Sequence, residues 1–457
     1  MASPLLEPLI KNLSAHERNE VEIWLNCPLH NRREDVKALF AELIDSAGAA
    51  DKFVKNRAVD ARLTRSYLLD RIEAYLIWKQ GAQPEDEQAR DLALCQLYRQ
   101  RGLSVHFNNR LNRFEKKEYC FQDATSLFNN YRFAALREAR SSDRSRSYEE
   151  DFDLPDRLLL RALTAARLRQ AAVSLAGAGF SGRELQLPLF KTYLDLVDEH
   201  PELLNEPGIA LYYNICLYQL PALERPLLPY PQLIGLLTAN INRFPAAEQS
   251  ELLKLILNYA IRRLNQDTSR ENVLAAFQLY DLGLREGLLL ESNELSNFTF
   301  NNFIGIALRL GRIEAAQRCI DEYASLLAPK SASEVMALNQ ARLAYARGEL
   351  REALFLLQQA DYRDNVHLIN ARTLHLRIYY ELGEIEPMLD LVRATKIQIS
   401  RRQLGYHEPI ILNNLKFMRK LAKLRSSDSR AANNLRKEIE QTQLLSEREW
   451  LLEKLNK

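Results

Sequence analysis

Few residues of this 457-residue chain have types that could do chemistry, and most of those fail on spacing. Gly177-Ala178-Gly179-Phe180-Ser181-Gly182 reproduces the G-x-G-x-x-G pattern that cradles a dinucleotide pyrophosphate. The pattern works only where a strand leads into the glycines and a helix opens directly after them, so that the phosphates rest on the helix N-terminus. Here the preceding residues have helical period and residues 183–188 show no helix start. The run therefore reads as a helix C-cap and inter-helix loop. No Walker A sequence is present. The seven histidines, at positions 16, 30, 106, 200, 367, 375 and 407, form no HExxH and no zinc-spaced cluster. His367 and His375 stand about two helical turns apart, too far to share one metal. Cys27, Cys95, Cys120, Cys216 and Cys319 are scattered singly with no CxxC, which points to a reducing compartment and not to a disulfide framework. No serine or cysteine is singled out as a nucleophile, and carboxylates are too abundant for any pair to be singled out as acid and base. The expectation is a protein that is not an enzyme and takes no cofactor or metal.

Charge supplies the next candidates. Lys and Arg number 62 against 60 Asp and Glu, a net charge of +2, so nothing global calls for nucleic acid or a membrane. One tract departs from that balance: residues 393–425 hold nine Lys and Arg against Glu408 alone. Within it Lys416, Arg419, Lys420 and Lys423 recur at i, i+3, i+4 and i+7, on one helix face, with Leu415, Met418 and Leu421 on another. Such a stripe suits phosphates or an acidic partner, or is simply the solvated side of an amphipathic helix. Arg99 to Lys117 is also basic and contains Phe107 and Phe114, with Tyr98 just before it, but these aromatics sit at core spacing.

The elements that must carry these residues are helices. The chain has 82 Leu against 11 Val, with 15 Gly and 16 Pro; Leu favours helices, Val favours strands, and turn residues are scarce. An all-α fold with no sheet follows. Ser14 and Glu17 form a capping box opening a helix with Val21, Trp24 and Leu25. Val36, Leu39, Phe40, Leu43 and Ile44 mark the apolar stripe of another, and Leu63, Tyr67, Leu68, Ile72, Tyr75 and Leu76 that of a longer one. Residues 1–80 thus read as four helices in a bundle. Between Arg137 and Asp156 apolar residues thin out while arginines give way to acids, which reads as a charged linker. Asp153 and Pro155 then restart a helix with Leu159, Leu163, Ala166 and Ala171 on its buried side. Ile209 to Tyr218 is the densest apolar window and is too short to cross a membrane. Met1 to Glu20 lacks an apolar leader core. A cytoplasmic location is expected.

Repetition dominates downstream. Gly311, Gly348 and Gly383 each separate two helices at intervals of 37 and 35 residues, close to the ~34-residue period of tetratricopeptide (TPR) helix pairs. Ala316 and Ala353 follow five residues after the first two glycines, and Ile320, Leu357 and Val392 supply the next apolar contact. The third copy has Pro387-Met388 where Ala is expected. An earlier copy lies around Ala275-Ala276, with Asn265 to Arg270 as its turn. Leu435 and Ile439, then a second capping box of Ser446 and Glu449 before Trp450, Leu451 and Leu455, read as helices closing the array.

The opening Leu5-x3-Leu9-Ile10-Lys11-Asn12-Leu13-Ser14 with Glu17, the later Leu39-Phe40 and Tyr67-Leu68-Leu69, and the closing Ser446-Glu447-Arg448-Glu449-Trp450-Leu451-Leu452-Glu453-Lys454 resemble an uncharacterised family of TPR-like proteins from Bacteroidota. That resemblance implies a fold and no known activity. The sequence thus divides into an N-terminal helical domain (1–136), a charged linker (137–156), a degenerate TPR-like α-solenoid (157–425) and C-terminal capping helices (426–457).

In such arrays the first helix of each pair lines the concave face. The repeat register places Asn302 with Asn339, Arg342 with Arg377, and Tyr345 with Tyr380 at three equivalent positions there. Arginine forks bind carboxylates and tyrosines are low-entropy anchors. The expected function is a protein–protein interaction scaffold that holds a peptide or protein segment on that face. The alternative is a nucleic-acid-associated regulator that uses the basic 393–425 stripe or a helix-turn-helix within residues 1–80. A membrane partner is not expected.

Overall fold

The computed structural model describes residues 6–45, 58–81, 87–117, 121–141, 153–181, 185–220, 225–267, 269–329, 331–400, 407–424 and 429–455. Among them almost everything is helix. Packing divides the chain into two units, one of residues 1–120 and 124–162, the other of 121–123 and 163–457. Most of the charged 137–156 segment, residues 142–152, lies outside the described residues, as do Cys120 and Gly182.

The first unit begins with α1 (Leu6–Asn12), α2 (Ala15–Asn26), α3 (Glu34–Asp45) and α4 (Ala58–Gly81), the four helices expected. Ser14 Oγ accepts from Glu17 N at 3.2 Å and Glu17 Oε2 accepts from Ser14 N at 2.9 Å, so the capping box forms. Leu6, Ile10, Val21, Val36, Phe40, Leu68 and Ile72 share one core. Leu63, at the end of its stripe, stays 61% exposed. Next come α5 (Glu87–Gln100), α6 (Ser104–Lys116) and α7 (Ala124–Ser141). Phe107 is buried in their core, with Tyr98 and Phe114 packed against it, so the aromatics of the Arg99–Lys117 tract are core residues.

α8 (Leu154–Ser181) starts where Asp153 and Pro155 place it, with Arg157 N bonded to Asp153 O at 3.0 Å. It then departs from the sequence reading twice. Gly177 lies inside the helix, which runs on to Ser181, so residues 177–181 are helical where a phosphate loop would need a strand and a turn. Its buried stripe is Ala162, Ala165, Leu168, Ala171 and Ala172, while Leu163 faces outward. Small side chains win because α10 lies close: Cys216 Sγ and Gln219 Nε2 reach the Leu168 and Ala172 carbonyls.

The second unit continues with α9 (Phe190–Glu199), α10 (Pro207–Gln219), α11 (Tyr230–Asn240), α12 (Ala246–Gln266) and α13 (Arg270–Arg285). α10 is buried from Pro207 to Leu217, and no described helix is long and apolar enough to cross a membrane. Between α13 and the next helix, Leu290–Glu291 and Glu294–Leu295 form a two-residue antiparallel hairpin. This small exception to an expected absence of sheet turns on Ser292 and Asn293, both at positive φ, the geometry of a tight hairpin turn.

Three helix pairs follow: α14 (Asn297–Arg309) with α15 (Ile313–Tyr323), α16 (Ala332–Ala346) with α17 (Leu350–Gln358), and α18 (Asn365–Glu381) with α19 (Ile385–Ser400). Gly311, Gly348 and Gly383 have φ of 71°, 81° and 76°. Each sits in the same turn, the following amide bonding back five residues, as Arg312 N does to Ala307 O and Glu349 N to Ala344 O. That closure needs a left-handed residue, which explains glycine at the repeat interval. Ala316 and Ala353 are fully buried; in the third pair Met388 is buried instead, and Pro387 is tolerated in the first turn of α19. The second unit is a degenerate TPR-like α-solenoid, closed by α20 (His407–Ala422), α21 (Ser429–Gln441) and the capping helix α22 (Arg448–Lys454).

One buried group sets a pH dependence. His375 Nε2 is buried with no partner among the described residues. Burial, with Arg372 adding to it, pushes the His375 imidazole down to about 4. The unfolded chain takes up this proton near 6.5, so stability that is full above that value falls as pH drops from about 6.5 to about 4. The loss attributable to His375 is up to about 3 kcal/mol. Denaturant midpoints measured across this range should fall more steeply for the native chain than for His375→Gln; parallel curves would remove His375 as the cause.

Candidate functional site

Three candidate residues of the repeat face, Tyr345, Arg377 and Tyr380, meet helix α22 or its N-cap residue Glu447. α14, α16 and α18 lie side by side as the first helices of successive pairs; Tyr345 and Tyr380 stand three residues before their turn glycines, and Arg309 two residues before Gly311. α22 lies against them. Trp450, 6% exposed, packs edge-on against Tyr380 at 5.5 Å, and its Nε1 donates to Tyr345 Oη at 3.1 Å and Glu381 Oε1 at 3.0 Å. Tyr345 Oη donates to Glu381 at 2.5 Å and accepts from Arg377 Nη2 at 3.1 Å. Arg377 pairs with Glu447 at 3.4 Å, Arg309 with Glu449 at 2.6 Å and Lys454 with Glu381 at 2.8 Å. Burial pushes the Tyr345 hydroxyl up to about 12. Burial also works against the Glu381 carboxylate, yet hydrogen bonds from Lys454, Tyr345 and Trp450 hold its titration below the ordinary range.

Between α22 and the three helices remains a cavity of about 600 Å3, with Arg309, Arg342, Tyr345, Thr373, Arg377 and Trp450 among its walls. Three of the six sequence candidates, Arg342, Tyr345 and Arg377, are there, and Tyr380 stands behind Trp450. The two asparagines do not join them. Asn339 is 0% exposed and cannot touch a partner. Its Nδ2 donates to Val335 O at 2.8 Å and Asn301 Oδ1 at 2.5 Å, and its Oδ1 accepts from Arg342 Nη1 at 3.2 Å. Asn302 is exposed and bonds Tyr280 Oη at 2.9 Å, away from the cavity walls. Asn339 is therefore a positioning residue for Arg342, anchored through Asn301 to buried His367 at 3.0 Å.

Asn301, Arg309, Glu381 and Glu447 were invisible as site residues from sequence. The only signals were Asn301 beside Asn302, Glu381 beside Tyr380, and the acids flanking Trp450. The second capping box does not form. Ser446 Oγ accepts instead from Asn414 Nδ2 at 2.7 Å, Glu449 is taken by Arg309, and α22 begins at Arg448 with no side-chain cap.

The basic stripe is weaker than its sequence count. Leu415, Met418 and Leu421 are buried as expected, with Lys416, Arg419, Lys420 and Lys423 exposed. Glu438 of α21 pairs with Lys416 at 2.8 Å and also with Lys420, and Arg393 pairs with Asp390. Arg401, Arg402 and Arg425 lie outside the described residues.

Other groups with perturbed titration read as structural. Burial raises the Glu248 carboxyl, which accepts from Tyr212 Oη at 2.8 Å and is enclosed with Arg169 and Glu251. Burial pushes the Cys95 and Cys319 thiols up, to about 11 and about 12, the opposite of an activated nucleophile. Among the described residues no cluster of His, Cys, Asp and Glu could hold a metal. Compared with family models, with curated proteins and with solved structures, the chain matches none.

Proposed function

We propose that the chain is a non-enzymatic interaction scaffold that binds a peptide or protein segment on the concave face of its helical repeats. The observation that supports this reading is the docking of α22. The face lined by α14, α16 and α18 accepts a short helix through one buried tryptophan and two arginine–glutamate pairs, and leaves open walls beside it. A surface that already engages aromatic and acidic groups of a helix suits a partner segment presenting the same chemistry.

The rival, a nucleic-acid-associated regulator, rests on the basic stripe, where Glu438 pairs with Lys416 and Lys420 and offsets one of its charges, or on a helix-turn-helix within residues 1–80. A photo-crosslinking amino acid placed at Thr373 in the full chain, and separately at Lys423, tests the two in the native host. Protein adducts from Thr373 that survive nuclease treatment are expected. Adducts from Lys423 alone, or nuclease-sensitive ones, would overturn the scaffold reading.

A further inference from the structure

We propose that the cavity between α22 and the first helices of the three repeats binds a small organic molecule through an oxyanion, a carboxylate or a phosphate, clamped by the guanidinium groups of Arg342 and Arg377. This stands whether or not a protein partner uses the same face.

The argument is an accounting of donors. A guanidinium carries five N–H donors in a planar fork. Arg342 makes one hydrogen bond, to the neutral amide oxygen of Asn339 at 3.2 Å, and no carboxylate lies within ion-pair distance of it among the described residues. Arg377 has its Nη atoms engaged, by Tyr345 and at 3.4 Å by Glu447, while its Nε is buried without a partner. Arg309, by contrast, already has Glu449. Glu447, Glu449 and Glu453 also line this cavity of about 600 Å3, but they pair with Arg377, Arg309 and Lys454. Arg342 is therefore the wall cation that brings unused donors and no ion-pair partner among the described residues, with the remaining Nη hydrogens of Arg377 beside it. The cavity's size is typical of sites for organic ligands. A planar fork matches the paired oxygens of a carboxylate or phosphate.

The site is also built in advance. Asn339 fixes Arg342, Val335 O and Asn301 fix Asn339, and His367 meets Asn301, so a ladder across three helices holds the guanidinium before any ligand arrives. Burial pushes Arg342 down to about 10, with Glu447 opposing the shift and the neighbouring Arg377 adding to it, which leaves it charged at neutral pH. Leu308, Leu374 and Trp450 on the walls offer an apolar seat for the ligand's body, and Thr373 a hydroxyl.

Three compounds with one phenyl body test the head group on the full chain: phenylacetate, phenyl phosphate and, as a cation, phenethylammonium. 5-Fluorotryptophan labelling reports on Trp450 apart from Trp24 and Trp78, and thermal midpoints are read in parallel. Either anion, or both, should shift only the Trp450 resonance and raise the midpoint, the two arms separating carboxylate from phosphate preference, while the cation does neither. Arg342→Gln should weaken anion binding by about ten- to a hundredfold, with Arg342→Lys between it and the native chain and Arg318→Gln, on the outer helix α15, unchanged. Midpoints of each variant without ligand show that it folds. No anion response at Trp450, or one that Arg342→Gln and Arg342→Lys leave intact, would overturn the proposal.

Discussion

Trp450→Ala is expected to destabilise the second packing unit by about 3–5 kcal/mol, the usual penalty for emptying a buried tryptophan site. Several contacts go at once. The indole fills the seam between α22 and α18, stacks edge-on with Tyr380, and donates to Tyr345 and Glu381. A helix of seven residues, Arg448–Lys454, has no independent stability, so losing its anchor frees Leu451 and exposes the neighbouring core of Met388, Phe417 and Ile439. The midpoint of that unit's calorimetric transition should fall by on the order of 10 °C, and truncation after Gln443 should do the same or cause aggregation. Trp450→Phe keeps most of the packing and loses the N–H, so it should lie about 1 kcal/mol below the native chain. An unchanged melting curve for Trp450→Ala would mean that α22 is a free tail.

Asn339→Ala should be the next most damaging change, at about 2–4 kcal/mol. The amide is a hub: its removal leaves Asn301 Oδ1 without its donor and Arg342 without its acceptor, and takes a second bond from Val335 O. All these groups are in or at the edge of the core, where water cannot replace the lost partner cheaply. Asn302→Ala, one residue from the other end of the same network, removes a single bond from an exposed amide to the Tyr280 hydroxyl and should cost about 1 kcal/mol, less than the loss of the Asn339 hub. Chemical denaturation of both variants decides the point; equal losses would show that the buried ladder has no special weight.

That contrast shows what register alone could reach. A 37-residue offset aligns Asn302 with Asn339, yet helix faces are set by packing on both sides, and a shift of one residue turns a side chain by about 100°. Asn301, not Asn302, therefore meets Asn339 in the interior. The same limit appears in α8, where Leu163 looked buried by spacing and the alanine side is chosen because α10 comes close.

The sequence by itself determined the features whose causes lie within about five residues. Leucine over valine made the chain helical, Ser14 and Glu17 closed a box on each other's amides, and Gly311, Gly348 and Gly383 each ended a helix in a left-handed turn. Their energies depend on neighbours along the chain, so they survive any arrangement of the rest. Tertiary structure decided which partner each polar side chain took. Ser446 and Glu449 had a local cap available and went to Asn414 and Arg309 instead; Lys416 and Lys420 acquired Glu438; and Arg377 and Tyr345 received Trp450 and Glu447 from the end of the chain. For such groups the local partner and the distant one offer hydrogen bonds of similar strength. The choice falls to burial, because the larger apolar gain of seating Trp450 and Leu451 carries the neighbouring polar groups with it.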